Sequence, residues 1–216
     1  MGLLLPVIAG SVLTLLVLVV RIWLLLSSPD RHRPARKGHV SLLVVAGSGG
    51  HTTEILRLLS SLSTSYSPVH YVLAETDKMS EDKIHSFESA KVNGTPKPLY
   101  TIHRIPRSRE VRQSWSSSVL TTIQSFLYSF PLTARLKPDL VLCNGPGTCI
   151  PVCFSALLLG IFGIKKVILV YVESLCRVDS LSLSGKLLYY FADYFIVQWP
   201  LLQDKYPKSI YLGRIV

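Results

Sequence analysis

Short apolar runs alternate along this chain with longer stretches whose apolar positions fall three and four residues apart. The runs at 40–46 (VSLLVVA), 69–75, 100–105, 138–144, 165–172 and 193–199 predict strands, with a last short one at 209–213. Between the first two, residues 52–62 predict a helix with Ile55, Leu58, Leu59 and Leu62 on one face. Glu54 falls in the first turn of that helix, where its charge suits the helix dipole. Residues 116–136, 149–162 and 182–192 predict further helices, with a kink or break at Pro131. Residues 76–98 are polar and carry Gly94, Pro96 and Pro98, which predicts a loop. Regular strand–helix alternation with very apolar strands predicts an α/β fold, a single Rossmann-like domain whose parallel sheet is covered on both faces. Ligands of such sheets sit at the carboxyl ends of the strands.

The amino end breaks this pattern. Met1 to Val20 holds no charged side chain, Arg21 follows, and then IWLLL. About 20 apolar residues suffice for a helix to cross a bilayer. A cleaved signal peptide would want positive charge ahead of the apolar stretch, whereas here Arg21, Arg31, Arg33, Arg36 and Lys37 follow it. The expectation is therefore a single uncleaved transmembrane anchor at 1–26 with its amino end lumenal, Trp23 and Arg21 lying near the interface. A basic linker at 27–38 and a cytosolic domain at 39–216 would follow. The linker is either drawn to an anionic leaflet or a plain solvated tether.

Composition sharpens this picture in two ways. The 216 residues are 49% hydrophobic and only 17% charged, with a net charge of +10, so a sizeable core is available and anionic lipid or phosphate partners are favoured. No finger, RNP-type motif or long basic helix points to nucleic acid. The four cysteines (Cys143, Cys149, Cys153 and Cys176) lie among apolar neighbours without C-x-x-C spacing, which predicts buried reduced thiols and no metal site.

Three loops at the predicted ligand edge carry chemistry. In AGSGGH, Gly47, Gly49 and Gly50 allow close backbone approach, and the following helix adds its positive end. No G-K-[ST] closes this turn and Thr52 stands where a dinucleotide fingerprint has its third glycine, so it is a diphosphate seat or simply a tight turn. His51 at its lip is either a base for a sugar hydroxyl or a turn cap. A second glycine turn, CNGPGT, offers Asn144, Gly145, Gly147 and Thr148, and two such turns suit a long anionic ligand. Glu173, ending the fifth strand, either orients a sugar or acts as base, or pairs with Arg177. Arg104, Arg107, Arg109 and Arg112 in HRIPRSREVR supply guanidinium forks suited to phosphate, or form a solvated loop.

Taken in order, LLVVAGSGGHTTEILRLL, HRIPRSREV, PDLVLCNGPGTCIP, YVESLCRV and YPKSIYLGRIV resemble the membrane-anchoring subunits of the N-acetylglucosamine transferase that acts second in dolichol-linked oligosaccharide assembly. The resemblance spans essentially the whole chain. It implies the amino-terminal half of a GT-B glycosyltransferase, similar to the acceptor half of the bacterial enzyme that glycosylates lipid-linked muramyl pentapeptide. It implies transfer from UDP-N-acetylglucosamine to dolichyl-diphosphate-N-acetylglucosamine with inversion, at the cytosolic face of the endoplasmic reticulum or nuclear membrane, with no cofactor or metal. A soluble subunit would supply the donor half, docking near Tyr211–Val216, and the preceding enzyme of the pathway is a further candidate partner. By position, Gly47, Gly49, Gly50 and His51 match the first glycine loop of the bacterial relative. Asn144, Gly145 and Gly147 match its second, where Pro146 departs from the pattern. Glu173 matches a glutamate flanked differently there, since Tyr171 and Ser174 replace a histidine and a glutamine.

The chain has room for one Rossmann-like sheet, so the chain alone is expected to be inactive. Two other readings stay open: a membrane-bound NAD(P)-dependent reductase, with Glu75 taking the ribose but no Y-x-x-x-K pair, and a pure membrane scaffold with a vestigial site.

Overall fold

A computed structural model describes residues 15–22, 24, 38–91, 100–110 and 113–216. The strands are β1 (Leu42–Val45), β2 (Val69–Ala74), β3 (Tyr100–Ile105), β4 (Leu140–Asn144), β5 (Ile168–Val172), β6 (Tyr194–Val197) and β7 (Ile210–Tyr211). They form one parallel sheet in the order β3-β2-β1-β4-β5-β6-β7. The helices are α1 (Gly50–Ser60), α2 (Lys78–Ala90), α3 (Trp115–Leu136), α4 (Cys149–Ile161), α5 (Leu183–Leu188) and α6 (Pro200–Lys205). Strand order reverses between β1 and β4, which makes their carboxyl ends the natural ligand crevice.

The two faces follow from the period of two along each strand. Leu43 and Val45 of β1 face the cluster built with Val152, Cys153 and Leu159 of α4 and Leu188 of α5. Leu42 and Val44 face Ile55, Leu56 and Leu59 of α1 and Ile84 of α2. Burial of such side chains, at roughly 1.5–3 kcal/mol each, is what holds the layers.

Three expectations need correction. Residues 78–90 form helix α2 where a loop was predicted. Its apolar face is thin, but Asp77 caps it by accepting from the Ser80 N–H, and the buried Glu88 accepts the Tyr71 hydroxyl and lies 3.7 Å from Lys91. Polar anchors here replace the apolar stripe that pattern reading needs. Of the kink or break expected at Pro131, the break does not occur: helix α3 runs through it. Finally, Cys143, Cys149 and Cys153 are buried as expected, but Cys176 is exposed because it sits in a turn after β5.

Helix α3 packs Phe130, Leu132, Ala134 and Leu136 on the core near its carboxyl end, but its amino-terminal part is turned inside out. It buries Ser118, Ser125, Ser129 and Thr133, whose hydroxyls (Ser118, Ser129 and Thr133) donate to carbonyls four residues back. Small side chains let it lie close to α4. Val119, Leu120, Ile123, Leu127 and Tyr128 consequently face outward.

Most of the expected anchor and linker, and Arg112, lie outside the described residues. Residues 15–22 are helical and exposed, and the Arg21 guanidinium lies beside Gly163 at the carboxyl end of α4. Among the described residues no helix is long and apolar enough to cross a membrane.

Candidate functional site

Because β1 and β4 are parallel neighbours, with Val45 beside Cys143, both glycine turns leave the same sheet edge at the point of reversal. The turn after β1 is braced from behind: the Thr52 hydroxyl donates to the Gly47 carbonyl, and Ser80, 2.7 Å from Asp77, backs it from α2. Pro146 of the second turn packs so closely over Gly47 that a Cβ at Gly47 would lie 2.6 Å from it. The proline that departs from the glycine-rich pattern thus seals one loop against the other.

Helix α1 starts at Gly50, two residues earlier than predicted, after Gly49 with φ 66°. Glu54 therefore lies beyond the first turn, on the face of His51. His51 Nδ1 stands 2.9 Å from the Asn144 side-chain oxygen and 3.6 Å from Glu54 Oε2. An amide oxygen only accepts, so Nδ1 carries the proton and Nε2 is left as the acceptor. Asn144 is fully buried and serves His51 in this way; it does not line the cavity as a ligand-facing group. Gly145, with φ 69°, passes against the ring, and a Cβ there would lie 2.7 Å from His51 Cε1.

Glu54, whose carboxylate faces Nδ1 at 3.6 Å, is the largest influence on the His51 pKa and raises it above the ordinary histidine value. Burial opposes this, while Asn144 and the charges of Glu54 and Glu173 reinforce it. For Glu54 burial is the largest influence and pushes upward, yet His51, Ser174 and Asn144 together hold it below the usual carboxylate value.

Glu173 is fully buried. Its Oε2 accepts the Ser182 N–H (3.0 Å) and hydroxyl (3.1 Å), and Oε1 accepts the Ser174 N–H (3.2 Å). These bonds close the 174–182 loop and seat α5; no hydrogen bond or ion pair joins Glu173 to Arg177, one of the two alternatives the sequence left open. Burial raises its pKa, partly offset by the Ser182 and Ser174 donors. Glu173→Gln is expected to lower stability by about 1–3 kcal/mol, because a donor then faces the Ser182 N–H. Thermal unfolding checks this, and an unchanged midpoint would remove the clamp.

Two cavities flank His51. The smaller, about 330 Å³, is bounded by Glu54, Glu173, Ser174 and Arg177. The larger, about 660 Å³, is bounded at one end by Gly47, Gly145, Gly147 and Thr148 with Arg107 and Arg109, and at the other by Trp115, Val119, Ile123, Leu183 and Leu187. Arg107 brings a buried Nε without a hydrogen-bond partner, and Arg109 stacks on Trp115 at 4.3 Å. Their loop is sewn to α3 through the Ser108 carbonyl, which accepts from Thr121 (2.7 Å) and Thr122 (3.2 Å). Arg104 does not belong here: it faces away on β3, with its guanidinium 2.6 Å from Glu81, and lines neither cavity. Gly50 borders the smaller cavity. Among the described residues no group of three His, Cys, Asp or Glu side chains is arranged to hold a metal ion.

Sequence reading did not find Glu54 as a partner of His51, nor the apolar half of the larger cavity. The H-x-x-E spacing was the available signal for the first, once the helix is allowed to begin at Gly50. Nothing in the local pattern marks the second, because its apolar side chains come from two separate helices.

The closing segment also differs from expectation. Ile215 donates its N–H to Gln198 (2.9 Å), Val216 is buried in the core beneath α1, and Arg214 stacks on Trp199 at 4.2 Å. Tyr211 and Leu212 are the apolar side chains left exposed there.

Fold and site together define a Rossmann-like α/β domain with a histidine poised between two glycine turns. Two solved structures share the fold. Acinetobacter baumannii MurG aligns with TM-score 0.54 at 18% identity, over 75% of this chain and 42% of that one. A UDP-N-acetylglucosamine 2-epimerase aligns with TM-score 0.57 at 16% identity, over 79% and 43%. The chain thus spans less than half of each. It belongs to the family described as "Oligosaccharide biosynthesis protein Alg14 like", whose profile matches residues 42–215. It is 64% identical over 211 residues to the UDP-N-acetylglucosamine transferase subunit ALG14 of Homo sapiens, covering 96% of this chain and 95% of that protein. The subunit of the same name in Yarrowia lipolytica is 40% identical over 213 residues, covering 96% of each. Membership of this family favours a transferase subunit over the reductase reading.

Proposed function

We propose that this chain is the acceptor-side subunit of a UDP-N-acetylglucosamine transferase that extends dolichyl-diphosphate-N-acetylglucosamine, tethered to the endoplasmic reticulum membrane with its domain in the cytosol. The observation that carries the reading is the divided character of the larger cavity. Its glycine turns and Arg107 and Arg109 suit a diphosphate, and its Val119, Ile123, Leu183 and Leu187 end suits the start of a lipid chain. His51 borders both cavities, and its Nε2 is the nitrogen left to accept a proton. In the reaction, the acceptor hydroxyl gives its proton to Nε2 while its oxygen attacks the anomeric carbon, and UDP leaves with the bonding pair from the opposite side. The sugar nucleotide is held by a separate subunit, for which exposed Tyr211, Leu212 and Arg214 offer the docking edge.

The outward apolar face of α3 supports a membrane-facing orientation, and Arg21 beside Gly163 brings the apolar residues 15–22 toward the end of α4, next to exposed Phe162 and Ile164. Replacing both Leu120 and Leu127 by Asp is expected to lower acceptor use on vesicles by at least tenfold while leaving the fold intact, since these residues lie outside the core. Kinetics with a short-chain soluble acceptor should be far less affected; equal losses on both acceptors would sink the membrane role.

The test of the whole reading is reconstitution in liposomes with a candidate soluble subunit. Transfer that needs both chains is the expected result. Extension of the lipid by this chain alone, or none by the pair, would overturn it.

A further inference from the structure

We propose that Glu54 is a positioning residue for the transfer, holding the His51 ring and balancing the charge it acquires. This rests on His51 acting as the base. Three observations lead to it. Glu54 is anchored from outside its own helix, because Oε1 accepts the Ser174 hydroxyl at 2.9 Å and the Leu175 N–H at 3.3 Å. Its other oxygen, Oε2, is buried, has no hydrogen-bond partner, and faces His51 Nδ1 at 3.6 Å. At the same ring nitrogen, the Asn144 side-chain oxygen accepts the Nδ1 N–H at 2.9 Å, and its buried Nδ2 is without a hydrogen-bond partner.

A carboxylate oxygen desolvated without a hydrogen bond is costly unless a positive charge stands opposite it at some stage. The ring becomes that charge when Nε2 takes the proton of the acceptor hydroxyl, since Nδ1 keeps its own. Fixed in place beforehand by Ser174 and Leu175, the carboxylate needs no rearrangement to meet the new charge, so its stabilisation falls on the reacting state and not on the resting one. Asn144 sets the tautomer and Glu54 supplies the charge, two tasks that a single partner often combines.

The other charged groups around the ring do not replace Glu54. Glu173 at the end of β5 is spent on Ser182 and Ser174, and Arg177 on the loop beyond it is of the wrong sign. On the side of the larger cavity, Asp77 is tied to Ser80 while Arg107 is a cation.

The sign of the pH effect follows. His51 works as the neutral ring, and Glu54 holds its pKa up. Activity therefore falls on the acid side as the ring protonates, and removing the carboxylate moves that limb to lower pH while weakening the base.

The experiment compares wild type, Glu54→Gln, Ser174→Ala, His51→Ala and the Glu54→Gln/His51→Ala double variant, each reconstituted with the soluble subunit. Glu54→Gln is expected to lower kcat about tenfold or more with acceptor KM within about twofold, and to shift the acid limb down. Ser174→Ala should fall between it and wild type, and the double variant should be no worse than His51→Ala. Titration of the His51 ring by NMR in the detergent-solubilised chain should give a lower pKa in Glu54→Gln. An unchanged kcat, acid limb and ring titration in Glu54→Gln would overturn the proposal, as would a double variant much worse than His51→Ala. Should Glu54→Gln not fold, Ser174→Ala decides by the same measures. Wild-type kcat in His51→Ala would instead remove the base and with it the catalytic use of Glu54, while the ring titration would still register the pair.

Discussion

His51→Ala should cut transfer by the reconstituted complex about a hundredfold or more, with the complex still assembled and acceptor KM little changed. The ring is half-buried and makes one strong hydrogen bond, to Asn144, so its loss removes little from the core. What it removes is the only imidazole bordering the two cavities among the described residues. A replacement water lacks both the basicity and the fixed position that Asn144 and Glu54 confer. Since the pKa of His51 is raised, the wild-type acid limb should lie above the ordinary histidine range near 6.5. Steady-state kinetics across pH would check both points, and full activity in His51→Ala would discard the base.

Gly145→Ala should be nearly as damaging by a different route. At φ 69° an added Cβ is strained by about 1–2 kcal/mol before any contact is counted. The contact then falls on His51 Cε1 at 2.7 Å, which obliges the ring to move off Asn144. Both melting temperature and kcat are expected to drop. Gly147→Ala supplies the contrast, since a Cβ there meets nothing within 4 Å and no left-handed φ is required. Stability should be unchanged, with any effect confined to acceptor KM because Gly147 borders the larger cavity. Equal stability of the two variants would refute the steric account.

The outcome for Glu173 shows the limit of motif transfer. Its position at the end of β5 placed it at the ligand edge, and it does border the smaller cavity. All its bonds nevertheless run to its own loop, because a buried carboxylate next to free N–H groups is satisfied locally first. Arg104 was misplaced for a related reason. In a strand, neighbouring side chains point to opposite sides, so a cluster of arginines in sequence is split by the pleat and by the turn that follows. Arg104 was sent to Glu81, while Arg107 and Arg109 border the larger cavity.

Helix α3 carries the same lesson in reverse. Its apolar residues suggest a core face, yet the structure buries its hydroxyls, which bond their own helix and accept close packing with α4. Composition cannot distinguish these choices, since both satisfy the backbone and only the neighbouring helix decides.

The sequence by itself determined the strands, most of the helices and the two glycine turns, because period, apolar runs and turn residues are local properties of the chain. It also carried the family, through long motifs in fixed order. Only the tertiary structure decided that Glu54 reaches His51, that Asn144 serves the histidine, and that the amino-terminal part of α3 turns its apolar side chains outward. Each depends on which strands are neighbours: pairing β1 with β4 brings residues 93 positions apart to within 2.9 Å. No local pattern encodes that distance, since it is set by the burial of the whole sheet between its two layers of helices.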